Sequence, residues 1–257
     1  MARVTIASLL ALLSLTTAVA GQGTSPEPIA TDRPDFTEAS SLVATGQMQV
    51  ETGWTLTRAR GAAAPAQHSW PELLVRVGVS QRVELRLGQA LASLDPGVGE
   101  RFTAFEDLYV GAKIALSEQR GAMPQMAMLV QATVPTGDSR LTADEILPGG
   151  ALLAGWDTGG PWSFAAGVQV NKSGVEGVEV APSVAIGLGL SRVLNAYGEW
   201  FAFYPVNGDG LLVTQHYANG GVALLLTNDV QLDGRVGFGL NDAADKVFFG
   251  IGLSLRR

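Results

Sequence analysis

From Arg82 to Leu87 the chain reads Arg82, Val83, Glu84, Leu85, Arg86, Leu87, a charged and an aliphatic side chain in strict turn. On a helix those three charges would scatter around the circumference. On a strand, whose side chains alternate between faces, they share one face. The same period recurs along the sequence. Gln47, Gln49, Glu51, Gly53 and Thr55 oppose Met48, Val50, Trp54 and Leu56. Asp107, Tyr109, Gly111 and Lys113 oppose Leu108, Val110, Ala112 and Ile114, while Gln125, Gln131 and Thr133 oppose Met126, Met128, Val130 and Val134. Ser163, Gly167, Gln169 and Asn171 alternate with large apolar residues, as do Glu179, Ser183, Gly187 and Gly189. Gln231, Asp233, Arg235 and Gly237 follow the rule, and so do Lys246, Gly250, Gly252 and Ser254. Weaker segments near 70–79, 149–157, 193–204 and 214–226 bring the strand count to twelve.

After residue 20 no stretch approaches eighteen uncharged apolar residues, which excludes spanning helices. Yet only 16 % of the chain is charged, 47 % is hydrophobic and 32 of 257 residues are Gly. A hydrophobic, Gly-rich chain of alternating ten-residue segments is satisfied by a closed sheet with one apolar, lipid-facing side. The expected fold is therefore all-β: an antiparallel, transmembrane, up-and-down β-barrel of about 12 strands. A soluble β-sandwich also alternates, but its strands do not carry large apolar residues along the whole outer face.

Connection lengths are consistent with the barrel. Ser80-Gln81, Glu118 to Met123, Gly159-Gly160, Ser191 and Asn228 are short, whereas Arg58 to Ala66, Ala92 to Ala104, Gly137 to Leu147 and Pro205 to Leu212 are longer. Short turns alternating with longer loops are the pattern of periplasmic turns and external loops, and the parity puts the N-terminus in the periplasm. Residues 1–20 read as a signal peptide: Arg3, an apolar run from Val4 to Val19, then Ala18-Val19-Ala20 before the cut. Residues 21–45 form a periplasmic N-terminal segment and 46–257 the barrel, exported to the outer membrane.

Without Arg3 the 17 basic residues become 16 against 24 acidic, a net charge of −8. No basic stripe is available for nucleic acid. With no Cys there is no disulfide framework and no thiolate metal site. No cofactor is expected and no metal, although loop acids Asp138, Asp144 and Glu145 could hold a hard cation weakly.

The inward-facing candidates for a lumen or constriction are Glu51, Arg76, Arg82, Glu84, Arg86, Lys113, Glu179, Glu199, Asp233 and Arg235, with Glu72, Asp107 and Lys246 beside them. Their signs are mixed. A cross-strand ion-pair network that fills the interior is the simpler reading, and a selectivity-setting constriction the sharper one. Trp54, Trp70, Trp156, Trp162, Trp200, Tyr197 and Tyr204 fit girdles at the membrane interfaces, while Tyr109, Tyr197 and Tyr217 face inwards and could stack an aromatic solute. Catalysis by Ser with His would have to use His68 or His216, and neither sits in a catalytic motif.

Ahead of the first strand stands Thr31-Asp32-Arg33-Pro34-Asp35-Phe36-Thr37-Glu38, followed by Gly46-Gln47-Met48-Gln49-Val50-Glu51-Thr52-Gly53-Trp54. Both resemble the opening motifs of the outer-membrane β-barrel transporter family named for the "putative MetA-pathway of phenol degradation". Elsewhere the resemblance is one of length, strand rhythm and Gly-rich ending. It departs at Leu253-Ser254-Leu255-Arg256-Arg257, where barrels usually end on an aromatic residue that assists assembly; Phe248 and Phe249 lie further back.

The resemblance implies a channel or transporter for small solutes, hydrophobic or aromatic, by passive passage. Outer-membrane lipid and a small-molecule solute would be its partners, with the barrel-assembly machinery acting during biogenesis. The alternatives are a structural or interaction barrel with a filled lumen, using loops 92–104 and 137–147, and a barrel hydrolase. Within the motif, Asp32, Arg33, Pro34 and Asp35 read either as a solvated turn that initiates the first strand or as a periplasmic plug, with Arg33 paired to a lumen acid such as Glu51.

Overall fold

The computed structural model describes residues 27–61, 65–95, 100–174, 177–207 and 210–257; the expected signal peptide, 1–20, lies outside them. Twelve strands form the wall: β1 (Met48–Arg58), β2 (Ala66–Ser80), β3 (Val83–Asp95), β4 (Leu108–Ser117), β5 (Gln125–Val134), β6 (Leu147–Asp157), β7 (Trp162–Ser173), β8 (Gly177–Gly189), β9 (Leu194–Asn207), β10 (Gln215–Thr227), β11 (Val230–Gly239) and β12 (Val247–Arg256). Each pairs antiparallel with the next. β12 returns to pair with β1, Val50 opposite Leu255 and Gly53 opposite Gly252, so the sheet closes. A short strand, Phe102–Phe105, folds back on β3, and Gly210–Leu211 pairs with the end of β9. Closure leaves no open edge, the condition for placing a sheet in lipid.

The two faces of the wall are inverted relative to a soluble protein. Outward-facing Leu85, Leu87, Val130, Leu152, Ile186 and Ile251 are 42–61 % exposed. Inward-facing Gln49, Glu51, Arg76, Glu84, Lys113 and Ser254 are at most 1 % exposed. An apolar belt of that extent would drive association in water, whereas in hydrocarbon it is the required surface.

The hairpins reach further than the alternation implied. β2 begins at Ala66 and β3 continues to Asp95, so the expected loops 58–66 and 92–104 are partly ladder. Trp70-Pro71 concealed this, because Pro cannot donate to a ladder and the register slips between Ser69 and Glu72. Short and long connections alternate in part: 118–124 after β4 is as long as 59–65 after β1, and after β7 only 174–176 intervene. The two ends of the barrel are called here the turn end, near residues 81–82, and the loop end.

Candidate functional site

Residues 29–45 do not stay outside the barrel. Ile29 donates its N–H to Asn228 O at the turn end, and the chain then climbs into the lumen. It turns back at Phe36-Thr37 and leaves past Val43, with Thr45 bridged to Gly78 of β2. The segment has no ladder of its own inside the wall. Its backbone amides are met instead by lumen carboxylates, which satisfies groups that burial would otherwise leave costly. Glu51 accepts from the N–H groups of Asp32 and Arg33, each at 3.1 Å. Glu199 accepts from Phe36 N at 2.9 Å and from Thr37 Oγ1 at 2.6 Å, and Glu84 accepts from Val43 N at 2.7 Å.

Asp32 anchors the entering limb. Its carboxylate meets Arg86 at 2.9 Å, Lys113 at 3.0 Å and Arg76 at 3.3 Å, three cations from three adjacent strands. Arg76 also holds Glu51 at 2.9 Å and grips Glu84 through two nitrogens, at 2.7 and 3.0 Å. Arg86 reaches Glu38 at 2.6 Å. The wall alone supplies Arg76, Arg86 and Lys113 against Glu51 and Glu84; the segment brings Asp32 and Glu38 to that excess of positive charge. The returning limb is held by packing, Leu42 lying on Ala127, Leu129, Ala151 and Leu153.

Arg33 pairs differently from the sequence expectation. Its side chain takes Glu72 at 2.7 Å and approaches Asp233 at 3.6 Å, while Glu51 receives its backbone N–H. The guanidinium lies against the cross-strand pair Gly53 and Gly252, where a methyl group on either would overlap it. Gly53→Ala is expected to expel Arg33 without breaking the ladder, losing a charge-assisted bond worth about 1.5–3 kcal/mol. Hydrogen exchange should then quicken in residues 31–38 and stay unchanged in the strands. Unchanged exchange in residues 31–38 would mean Arg33 does not hold the segment.

Arg235 donates to Pro34 O at 3.0 Å, and Glu199 also receives Asn219 Nδ2 at 2.9 Å. Of the remaining candidates, Arg82 is not in the lumen: it is exposed in the β2–β3 turn, where the chain has left the sheet and parity no longer aims side chains. Glu179 is half-buried towards the loop end of β8. Asp107 fastens the loop above it, accepting from Gly137 N and Ala143 N, and Lys246 is exposed. His68 and His216 pack against aromatic side chains, His68 Nδ1 accepting from Trp54 Nε1 and His216 lying between Trp200 and Tyr204.

One lumen feature escaped the sequence reading. Phe201 and Phe203 share the inward parity of Glu199, and with Tyr217 and Phe248 they receive Phe36 from the tip of the segment. Aromatic residues on the polar face of β9 were the available signal.

Among the described residues, two cavities border the segment. One, of about 700 Å³, opens at the turn end between the segment and the small residues of β7 and β8, including Ser163, Ala165, Ala185 and Gly187. The other, of about 490 Å³, lies towards the loop end beside Phe36, Glu72, Arg86 and Tyr109. Arg33 and Asp35 line both.

The two acids of the motif are opposite in character. Burial alone would raise Asp32, but Arg76, Lys113 and Arg86 outweigh it and hold the carboxyl far below its usual range. Asp35 is pushed well above, first by desolvation and then by Glu199 and Asp32, with Arg235 opposing. The seated Asp35 therefore binds its proton more tightly than the released one. Seating is stabilised at low pH and weakens as pH rises through that raised value. Asp35→Asn is expected to abolish this dependence from the ordinary carboxylate range upward, read as hydrogen exchange of residues 31–38. A wild-type profile flat over that window would exclude it.

A family model described as "Putative MetA-pathway of phenol degradation" matches residues 31–256. No curated protein matches the sequence. Among solved structures, the COG4313 outer membrane channel from Pseudomonas putida F1 is similar at TM-score 0.66 and 11 % identity, over 84 % of this chain and 97 % of that one. The KdgM porin, solved with disordered oligogalacturonate, gives 0.55 and 8 % over 80 % and 98 %. The NanC porin gives 0.54 and 8 % over 81 % and 98 %. At these identities the likeness is one of fold.

Proposed function

The chain belongs to the family described as "Putative MetA-pathway of phenol degradation", and from that premise we propose an outer-membrane channel that passes small hydrophobic or aromatic solutes down their gradient. Residues 29–45 act as its plug, the turn end facing the periplasm. The observation that carries this reading is the pair of cavities, one towards each end, meeting at Arg33 and Asp35. The ion pairs of Asp32 and Glu38 tie the plug to β2–β4, while the wall of β7 and β8 beside the turn-end cavity is lined with small residues. A solute path therefore needs only a shift of the plug at two side chains, not a rearrangement of the barrel.

A second reading, a structural barrel with a filled lumen, is favoured by the buried cluster around Asp32, which fastens the plug as packing would. Planar-bilayer recording and liposome swelling separate the two. Discrete conductance steps from the purified wild-type protein, with uptake of small neutral solutes, support the channel. Silence across the panel selects the filled barrel.

A further inference from the structure

The plug ends in an aromatic ring placed where a ligand's ring could sit. Phe36 stacks on Phe201 at 4.5 Å between centroids and 17° between planes, and Phe201 stacks on Tyr217 at 4.9 Å and 13°. Phe203 closes the edge, 5.4 Å from Phe36 at 84°. Phe201, Tyr217 and Phe248 belong to wall strands β9, β10 and β12, so these rings are not carried off with the plug. Phe36 alone comes from the plug, and it also borders the 490 Å³ cavity. That volume is within the range of small-molecule sites, and Thr133 and Gln169 line it with groups that can meet a ring hydroxyl.

We propose that the face of Phe201 is a binding site for a planar, single-ring aromatic solute, and that Phe36 occupies it as an internal competitor. This rests on the channel reading and names its substrate class. A ring arriving in the loop-end cavity takes the stacking that holds the plug tip, leaving Glu199 on Phe36 and Thr37, with Arg235 on Pro34 and Arg86 on Glu38, as the polar holds around it. Binding and release of the tip are then one equilibrium, shifted by the solute because it fits only the state in which Phe36 has left. A saturated ring of the same size lacks the flat π-face that such stacking uses.

Phenol and cyclohexanol are the matched probes, with the protein in lipid nanodiscs and binding followed by ligand-observed NMR. Phe36→Ala and Phe36→Leu, which change only the plug, are expected to bind phenol about fivefold more tightly than wild type. Phe36→Trp should bind it more weakly. Phe201→Ala should fall to the level of empty nanodiscs, and cyclohexanol should stay at that level throughout. Equal phenol affinity in wild type and Phe36→Ala, or cyclohexanol matching phenol, overturns the proposal. In bilayers, phenol should raise the open fraction of wild type and leave that of Phe36→Ala unchanged, because that variant has no ring for phenol to displace. Failure of the channel reading is a different result: no conductance from either protein, with the binding comparison still decisive for the site.

Discussion

Replacing Arg76 with alanine is expected to cost about 3–5 kcal/mol of stability, the range for removing one partner of a buried ion pair. Arg76 is fully buried and holds three carboxylates: Glu51, Glu84 and Asp32. Without it Glu51 keeps Gln49 Nε2 at 2.9 Å and the amides of the plug, while Glu84 keeps the Val43 amide as its one hydrogen bond among the described residues. Two carboxylates would thus face each other in a site that excludes water. Equilibrium urea unfolding in detergent, followed by tryptophan fluorescence, measures the loss. Arg82→Ala is the control, because that residue is exposed in a turn and should change stability by no more than about 0.5 kcal/mol. The double change Arg76→Ala with Glu84→Ala should cost less than the sum of the singles, since the second removes the charge that the first strands. Equal, small effects at positions 76 and 82 would show that the charged cluster is hydrated and contributes little.

Deleting residues 29–45 has the largest expected functional effect: a severalfold rise in single-channel conductance. The segment runs into the lumen and back, and its removal is expected to join the two cavities into one path past Ser163, Ala165, Ala185 and Gly187. The deletion also takes Asp32 and Glu38 from Arg76, Arg86 and Lys113. Water enters with the opening and hydrates those cations, so the stability loss should be smaller than for Arg76→Ala, where the plug keeps the cluster dry. Closure at low pH should vanish with Asp35. An unchanged conductance would mean that residues 29–45 do not obstruct the path.

Much of the wall was legible because strand alternation is a local property. Arg82 to Leu87 declares its two faces without reference to any other residue, and turn chemistry marks where the next strand starts. Arg82 itself shows the limit. Period-2 reading places it on the lumen face with Glu84 and Arg86, yet the hairpin turns there, and a turn has no faces. Trp70-Pro71 likewise hid the first turn of β2, because a bulge breaks the period it interrupts. The lumen charges were legible as a set but not as pairs, since Glu51 has Arg76, a lysine-held Asp32 and two backbone amides within reach only after closure.

The alternating segments by themselves determined an inward polar face, an outward apolar face and a closed sheet, for lipid admits no other arrangement of such strands. They could not determine what fills the lumen. Residues 29–45 have no period, and their partners lie far off in sequence: Asp32 with Lys113, Phe36 with Phe201, Arg33 with Asp233. Only closure of the wall brings those partners around one volume, and only there do three cations lack acids that Asp32 and Glu38 can supply. Three charges around Pro34 announced that the segment had something to bind; the tertiary structure decided that it binds the inside of its own barrel.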